Sequence, residues 1–178
     1  MNIIADLHMH TMVSNHAFNT VTEMARRACE LGMLLPRRSP TTARLCRTRR
    51  TLGSFYNLTT LPSRIEGIWL LKGVEANVRG TDGSLDIEPQ KFERMQLDWV
   101  IASIHSDTLC PSLSEDEATQ LWLNVAQSPY VDCIGHSESR RHRYDYDAVT
   151  KAFCPLPQGG RDQREFRCCP SGQRGKHA

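Results

Sequence analysis

The chain has 178 residues, of which 39% are hydrophobic and 24% are charged, and its formal net charge is +2. This length fits one domain that can bury a sizeable core, and the composition is typical of a soluble globular protein. No window approaches the ~18 uninterrupted apolar residues of a membrane helix, and the N-terminus lacks the features of a signal peptide. We therefore expect a cytoplasmic protein that has no membrane partner.

The small net charge hides an uneven distribution. Residues 36–50 contain six arginines and no acidic residue, which gives +6, and residues 154–178 carry a net charge of +3. The rest of the chain therefore carries −7. The basic character belongs to two segments, and the remaining sequence has no basic stripe of the kind that binds nucleic acid.

The N-terminal part of the chain begins with a strand pattern that is followed by a helix pattern. Ile3–Leu7 is a short apolar run typical of a strand, and it leads into His8 and His10. The sequence Thr20–Glu23 has the form of a capping box, which predicts a helix that continues up to Gly32.

The middle of the chain contains a weak helix pattern, a strong strand pattern and a turn. Leu58–Ile65 is compatible with a helix, and Ile68–Val74 is a buried-strand run that ends at Glu75. Thr81–Gly83 predicts a turn, because Asp-Gly readily adopts positive backbone dihedral angles.

Two more strand patterns and two more helix patterns follow. Trp99–Ile104 predicts a strand that leads directly into His105, and Val131–Ile134 predicts a strand that is followed by His136. The helices are predicted at a second capping box, Ser114–Glu117, with an apolar face that ends before Pro129, and at Asp145–Phe153.

Strands that alternate with helices predict a parallel α/β architecture. In α/β barrels the residues that perform chemistry lie at the C-terminal ends of the strands, which converge at one mouth. Side chains two residues apart on a strand share a face, so His8 and His10 can both face one ion. Imidazole and carboxylate ligands suit zinc, manganese or iron. The sequence therefore predicts a metal site from five residues at strand ends: His8, His10, Glu75, His105 and His136.

Other interpretations of single residues stay open at this point. The His-x-His pattern alone could be a surface accident, and the coincidence of four strand ends is what favours a metal site. Asp6 could orient a histidine rather than bind the metal. His16 lies in a polar loop, and its neighbours do not decide its role.

Several motifs, taken together, resemble the PHP (polymerase and histidinol phosphatase) family. They are "DLHMHT" with "SNHAFNT", "LLKGVEANV" followed by "DG", "VIASIH", and "IGH". The chain is most similar to the small bacterial phosphatase branch, the YcdX-type proteins. The resemblance implies a distorted (β/α)7 barrel with up to three metal ions, usually zinc or manganese, at the C-terminal ends of the strands.

The resemblance also implies a role for each predicted ligand. His8 and His10 would bind the first metal, Glu75 would bridge the first and second, and His105 with His136 would complete the second. His16 would bind the third metal. The implied activity is hydrolysis of a small phosphorylated substrate, a phosphate monoester, by a metal-bound hydroxide.

The sequence departs from the family pattern in two places. A family strand that ends in Thr-Asp-His-Gly is replaced after Leu35 by "PRRSPTTAR", and a later Asp-x-His pair is missing. We therefore predict an incomplete barrel that lacks its last strands. The predicted organisation is a PHP domain over 1–153, with an anomalous Arg-rich segment at 36–54, and a disordered or out-of-frame tail at 154–178. We predict that frameshifts caused both anomalies, since both segments lose hydrophobic periodicity and gain arginine.

The departures leave two alternatives to a phosphatase. The first is an inactive remnant that binds one or two zinc ions through the five ligands His8, His10, Glu75, His105 and His136. The second is a PHP-type nuclease module. It is less favoured because the chain outside the two basic segments is acidic and has no basic stripe for nucleic acid. An Arg-rich loop that binds nucleic acid electrostatically is the rival explanation of the segment 36–54.

Overall fold

A computed structural model describes residues 6–14, 17–33, 39–44, 56–105, 112–138 and 141–154. The α-helices in these residues are α1 (Val21–Glu30), α2 (Pro89–Met95), α3 (Glu115–Ala126) and α4 (Tyr146–Phe153), and Asn57–Thr60 is a 3-10 helix. The strands are β1 (Ser39–Arg44), β2 (Arg64–Ile65), β3 (Ile68–Asn77), β4 (Trp99–Ser103) and β5 (Cys133–Ile134). The predicted α/β class is confirmed at this level. No helix in the described part of the chain is long and apolar enough to cross a membrane.

The chain divides into two compact units. The first unit comprises Met1–Ala76 with Ile87–Ile101, and the second comprises Asn77–Asp86 with Ala102–Ala178. Along the sheet the strand order is β1-β3-β4-β5, and β2 pairs with β3.

In the first unit, β3 is the strand on which the others are arranged. β1 runs parallel to it, and the register places Arg44 opposite Glu75. β2 runs antiparallel to it. At the start of β4, the backbone N–H of Asp98 donates to the carbonyl of Lys72 at 2.8 Å, and the Asp98 carboxylate accepts the backbone N–H of Lys72 at 3.0 Å. β3 therefore has a paired neighbour on either side.

Helix α1 forms as its capping box predicts. The Thr20 hydroxyl accepts the backbone N–H of Glu23 at 3.2 Å, and the Glu23 carboxylate accepts the backbone N–H of Thr20 at 2.7 Å. The chain leaves the helix through Gly32, which has a φ of +68°. The small residues Ala25 and Ala28 pack against Ile68 of β3, so the helix buries its apolar face on the sheet.

The second unit is built around α3 and α4. Ser114 and Glu117 form a complete capping box at the start of α3, and the Asp145 carboxylate accepts the backbone N–H of Ala148 at 3.0 Å and so caps α4. The ring of Trp122 on α3 meets the ring of Tyr144 edge-on at a centroid distance of 6.2 Å. Both helices that the sequence predicts in this unit are confirmed.

The predicted turn at Thr81–Gly83 is also confirmed, and it is fixed to α3. Gly83 has a φ of +80°, and a Cβ atom there would lie 2.8 Å from the backbone of Asn124 and Val125. The side-chain amide of Asn124 donates to the carbonyl of Thr81 at 2.9 Å. Only glycine combines this dihedral angle with so close an approach.

Three predicted elements differ from the structure. The helix over Leu58–Ile65 is wrong, because Pro62 removes a backbone donor and holds Leu61 in an extended conformation with a ψ of 138°. The 3-10 helix therefore stops at Thr60 and β2 follows. The strand predicted over Val131–Ile134 is shorter, and β3 runs on to Asn77 rather than stopping at Glu75.

Helix α2 was not predicted from the sequence. It has only seven residues and begins at Pro89. Of the predicted first strand, residues 3–5 lie outside the described residues, and Asp6 and Leu7 are in no strand. Within the anomalous segment 36–54, residues 39–44 form β1, and the rest lies outside the described residues, as does the tail after Cys154.

Candidate metal centre

In the first unit, two histidines meet one buried carboxylate. The Nε2 atom of His8 lies 3.5 Å from an oxygen of Glu75, and the Nε2 atom of His10 lies 3.3 Å from the same oxygen. The two imidazole centroids are 5.1 Å apart. Glu75 is only 1% exposed, whereas the histidines remain partly open to solvent. The fold therefore places the buried Glu75 carboxylate next to the two partly exposed imidazoles of His8 and His10.

The two histidines differ in exposure from the residue between them. Met9, which lies between them, is 7% exposed, whereas the side chains of His8 and His10 are 28% and 21% exposed. The backbone N–H of His8 donates to the Asp6 carboxylate at 3.0 Å. Asp6 thus supports the backbone of His8, and its predicted role in orienting a histidine ring stays a prediction.

Ser14 fixes the ring of His10, and sequence reasoning missed it. Its hydroxyl is 3.0 Å from Nδ1 of His10. A partner at Nδ1 directs the opposite nitrogen, Nε2, toward Glu75. A serine four residues after a histidine carries no distinctive sequence signal, and so only the folded loop reveals this contact.

The donor set in the first unit fits a divalent metal ion. Two ligands of a tetrahedral zinc ion, each about 2.0–2.1 Å from the metal, lie about 3.4 Å apart. The two nitrogen-to-oxygen distances to Glu75 match that separation, and the three donor atoms lie within 4.8 Å of one another. Two neutral imidazoles and one carboxylate are ligands that zinc and manganese accept.

In the second unit, His105 and His136 are neighbours. Their ring centroids are 5.0 Å apart with an edge-to-face arrangement. His136 follows β5 and has a φ of +29°, a conformation that is uncommon outside glycine and is often found at functional sites. The side-chain oxygen of Asn77 lies 2.7 Å from Nδ1 of His105. In this unit, therefore, two of the predicted ligands lie side by side.

Asn77 is in turn bound to Asp86, and neither residue was identified from the sequence. The backbone and side-chain nitrogens of Asn77 donate to the two carboxylate oxygens of Asp86. Burial raises the pKa of the Asp86 carboxyl above its ordinary value, although the hydrogen bonds from Asn77 act in the opposite direction. The signal that could have indicated Asn77 is its position two residues after Glu75, on the same face of β3.

Five predicted ligands belong to the described residues, and all of them are residues that could take part in holding a metal ion: His8, His10, Glu75, His105 and His136. The structure brings the first three together in one unit and the last two together in the other. The predicted ligand His16 lies outside the described residues. The roles of all six predicted residues as metal ligands remain predictions.

A mixed α/β fold with clustered histidines and a buried glutamate defines a candidate metalloprotein. Similarity to known proteins indicates a class of enzyme. The chain is 34% identical over 160 residues to a protein named "probable phosphatase" from Caldanaerobacter subterraneus subsp. tengcongensis, a match that covers 85% of this chain and 59% of the relative. It is 36% identical over 160 residues to a probable phosphatase from Thermoanaerobacter sp., which covers 85% of this chain and 61% of that protein.

A probable phosphatase from Aliivibrio fischeri is 34% identical over 157 residues, with 84% of this chain and 58% of the relative covered. The chain therefore spans about three fifths of the length of these curated relatives. No family model matches the chain. Over most of its length, the chain is similar to proteins that are named as phosphatases.

Proposed function

We propose that the chain is a metal-dependent phosphatase that hydrolyses phosphate monoesters of small molecules. The observation that carries this proposal is the cluster of His8, His10 and Glu75, whose donor atoms have the separation that a divalent ion requires. The similarity to probable phosphatases supplies the reaction class. Divalent ions bound in such a site would lower the pKa of a coordinated water and neutralise charge on the phosphoryl oxygens.

Each residue of the cluster has a task that follows from its contacts. The imidazoles of His8 and His10 would bind the ion, and Ser14 keeps Nε2 of His10 directed at the site. The buried Glu75 carboxylate would offset part of the charge of the ion, which would make the site selective for cations. In the second unit, His105 and His136 would bind a second ion.

Finer features of the proposal depend on the sequence motifs. They are a PHP-type barrel, zinc or manganese as the metal, a cytoplasmic location, a bridging role for Glu75 and a third ion bound by His16. The out-of-frame origin of the segment 36–54 also remains a prediction. Resequencing the gene tests it: the prediction is wrong if no other reading frame encodes a strand that ends in Thr-Asp-His.

The first experiment measures metal content and hydrolysis in the same purified full-length chain. We expect no hydrolysis of p-nitrophenyl phosphate after treatment with a chelator, and recovery after zinc or manganese is added. Glu75→Gln keeps the shape of the side chain but removes the charged ligand. It should weaken metal binding by at least about 100-fold, since even the partners that lie behind a ligand typically contribute 10–100-fold.

The matched control is Glu88→Gln, because Glu88 is exposed and pairs only locally with Lys91 at 3.0 Å. This variant should keep both metal binding and hydrolysis. Hydrolysis that resists the chelator, or that survives in Glu75→Gln, would contradict the proposal. Metal binding without hydrolysis would instead identify an inactive remnant, and faster cleavage of bis-p-nitrophenyl phosphate would favour a diesterase such as a nuclease module.

A further inference from the structure

A chain of hydrogen bonds in the second unit connects a carboxylate to a predicted metal ligand. Asn77 and Asp86 are joined by three hydrogen bonds. The backbone N–H of Asp86 donates to the carbonyl of Asn77 at 2.9 Å, the backbone N–H of Asn77 donates to one carboxylate oxygen at 2.8 Å, and the side-chain amide of Asn77 donates to the other. The oxygen of the same amide faces Nδ1 of His105 at 2.7 Å.

This arrangement determines the orientation of the Asn77 amide. Both oxygens of the Asp86 carboxylate face N–H groups, and an ionised carboxylate can only accept hydrogen bonds. The NH2 group of Asn77 must therefore face Asp86, and its oxygen must face His105. Asn77 is 2% exposed, so no bulk water competes for either position.

The orientation of the amide decides the tautomer of His105. An amide oxygen is an acceptor only, so a hydrogen bond at 2.7 Å requires Nδ1 of His105 to carry the proton. In the neutral imidazole the lone pair then belongs to Nε2. A histidine that binds a metal through Nε2 needs this tautomer, and such ligands commonly donate their other N–H to a neighbouring acceptor.

We propose that Asp86, acting through Asn77, is a positioning residue that holds His105 in the Nδ1–H tautomer required for metal binding through Nε2. The proposal rests on the proposed function, in which His105 is a metal ligand. The contact between the carboxylate and the amide is charge-assisted, so it is stronger than a contact between two neutral groups. The Asp86 carboxylate does not contact His105. It fixes the orientation of the neutral Asn77 amide, and that amide contacts the His105 ring.

Asp86→Asn is the most direct test. The new side chain offers an NH2 group in place of one carboxylate oxygen, which allows the Asn77 amide to turn round and present its own NH2 group to His105. The ring must then accept at Nδ1 and carry its proton on Nε2. We expect the nitrogen chemical shifts of histidine in the metal-free 15N-labelled protein to change from the Nδ1–H to the Nε2–H pattern at His105.

Zinc binding, measured by titration of the same samples, should weaken by about 10–100-fold, which is the usual effect of removing a partner that lies behind a ligand. The matched control is Asp82→Asn. Asp82 lies in the same loop and accepts the backbone N–H of Ser84 at 3.0 Å, but it is exposed and does not bond to Asn77. It should leave both the tautomer and the zinc affinity unchanged.

The tautomer of His105 separates this inference from the proposed function, because it is read without metal. If the unmodified protein binds no zinc but Asp86→Asn changes the tautomer, the positioning role holds and the metal-dependent function fails. An unchanged tautomer in folded Asp86→Asn protein would overturn the inference. If that variant does not fold, Asn77→Leu removes only the amide and keeps the backbone bonds to Asp86, and retention of the Nδ1–H form there would overturn it equally.

Discussion

At the scale of single residues, the site depends on neutral polar partners as much as on the predicted ligands. Histidines and a glutamate at strand ends can be identified in the sequence, because few other reasons place them there together. Ser14 cannot, because serine occurs in most loops and acquires a role only when the fold brings a histidine next to it, and Asn77 is indicated only by its position two residues after Glu75. The sequence therefore indicates candidate ligands more readily than the side chains that contact them.

Tyr144 provides a prediction about pH at the same scale. Burial raises the pKa of Tyr144 to about 12, although its hydrogen bond with Ser137 at 2.7 Å acts in the opposite direction. The folded state therefore holds the phenolic proton more tightly than the unfolded state does. The resulting stability is fully present below pH 10 and is lost as the pH rises from about 10 to about 12, by up to about 1.4 kcal/mol per pH unit.

Tyr144→Phe cannot ionise, so we expect a shallower loss of stability in the same pH range. Urea unfolding at several pH values between 9 and 12 measures the difference between the two proteins. Tyr146→Phe is the control, because it removes a more exposed phenol whose ring lies 4.3 Å from that of Tyr144 and leaves the buried hydroxyl in place. Parallel curves for Tyr144→Phe and the unmodified protein would show that the buried phenol is not responsible.

At the scale of elements, capping boxes predicted two helix starts correctly, whereas the pairing of distant strands was predicted poorly. The capping boxes at Thr20 and Ser114 need only four consecutive residues, and both form as predicted. β1 was not predicted, because Ser39–Arg44 has neither an apolar run nor alternation, and its pairing partner lies about 30 residues away in β3. Pairing between distant segments overrides local propensity in this strand.

The capping box of α3 leads to a prediction about stability. The backbone and side-chain hydrogen bonds from Ser114 hold the pKa of Glu117 below its ordinary value, so the carboxylate that caps the helix is ionised near neutral pH. Ser114→Ala removes the acceptor for a backbone N–H in the first turn. We expect the free energy of unfolding, measured with urea, to fall by about 1 kcal/mol.

Ser114→Thr is the matched variant, because threonine is also an N-cap residue and keeps the hydroxyl that donates to the Glu117 carboxylate at 2.7 Å. It should retain most of the stability that the alanine variant loses. If the alanine and threonine variants are equally destabilised, the effect comes from something other than capping.

At the scale of the whole molecule, a bound metal should stabilise the fold. A ligand that binds only the folded state adds about 2.7 kcal/mol at a free concentration of 100 Kd. The acidic body, which carries −7 outside the two basic segments, also favours a bound cation. We expect zinc or manganese to raise the Tm of the full-length chain and a chelator to reverse the change.

The site, rather than general cation binding, should be the origin of that change in Tm. Glu75→Gln should therefore reduce the rise in Tm, whereas Glu88→Gln should retain it in full. A rise of equal size in both variants would place the bound metal elsewhere on the chain.

The neutral amide between Asp86 and His105 also affects competition between protons and metal. A carboxylate in direct contact with a histidine favours the charged imidazolium, and a proton on Nε2 excludes a metal ion from that nitrogen. Asn77 passes on the orientation and keeps the negative charge one side chain away. Replacing Asn77 with aspartate would remove the N–H that Asp86 accepts and bring two carboxylates into contact, so the orientation of His105 should no longer be fixed and metal binding by that variant should weaken.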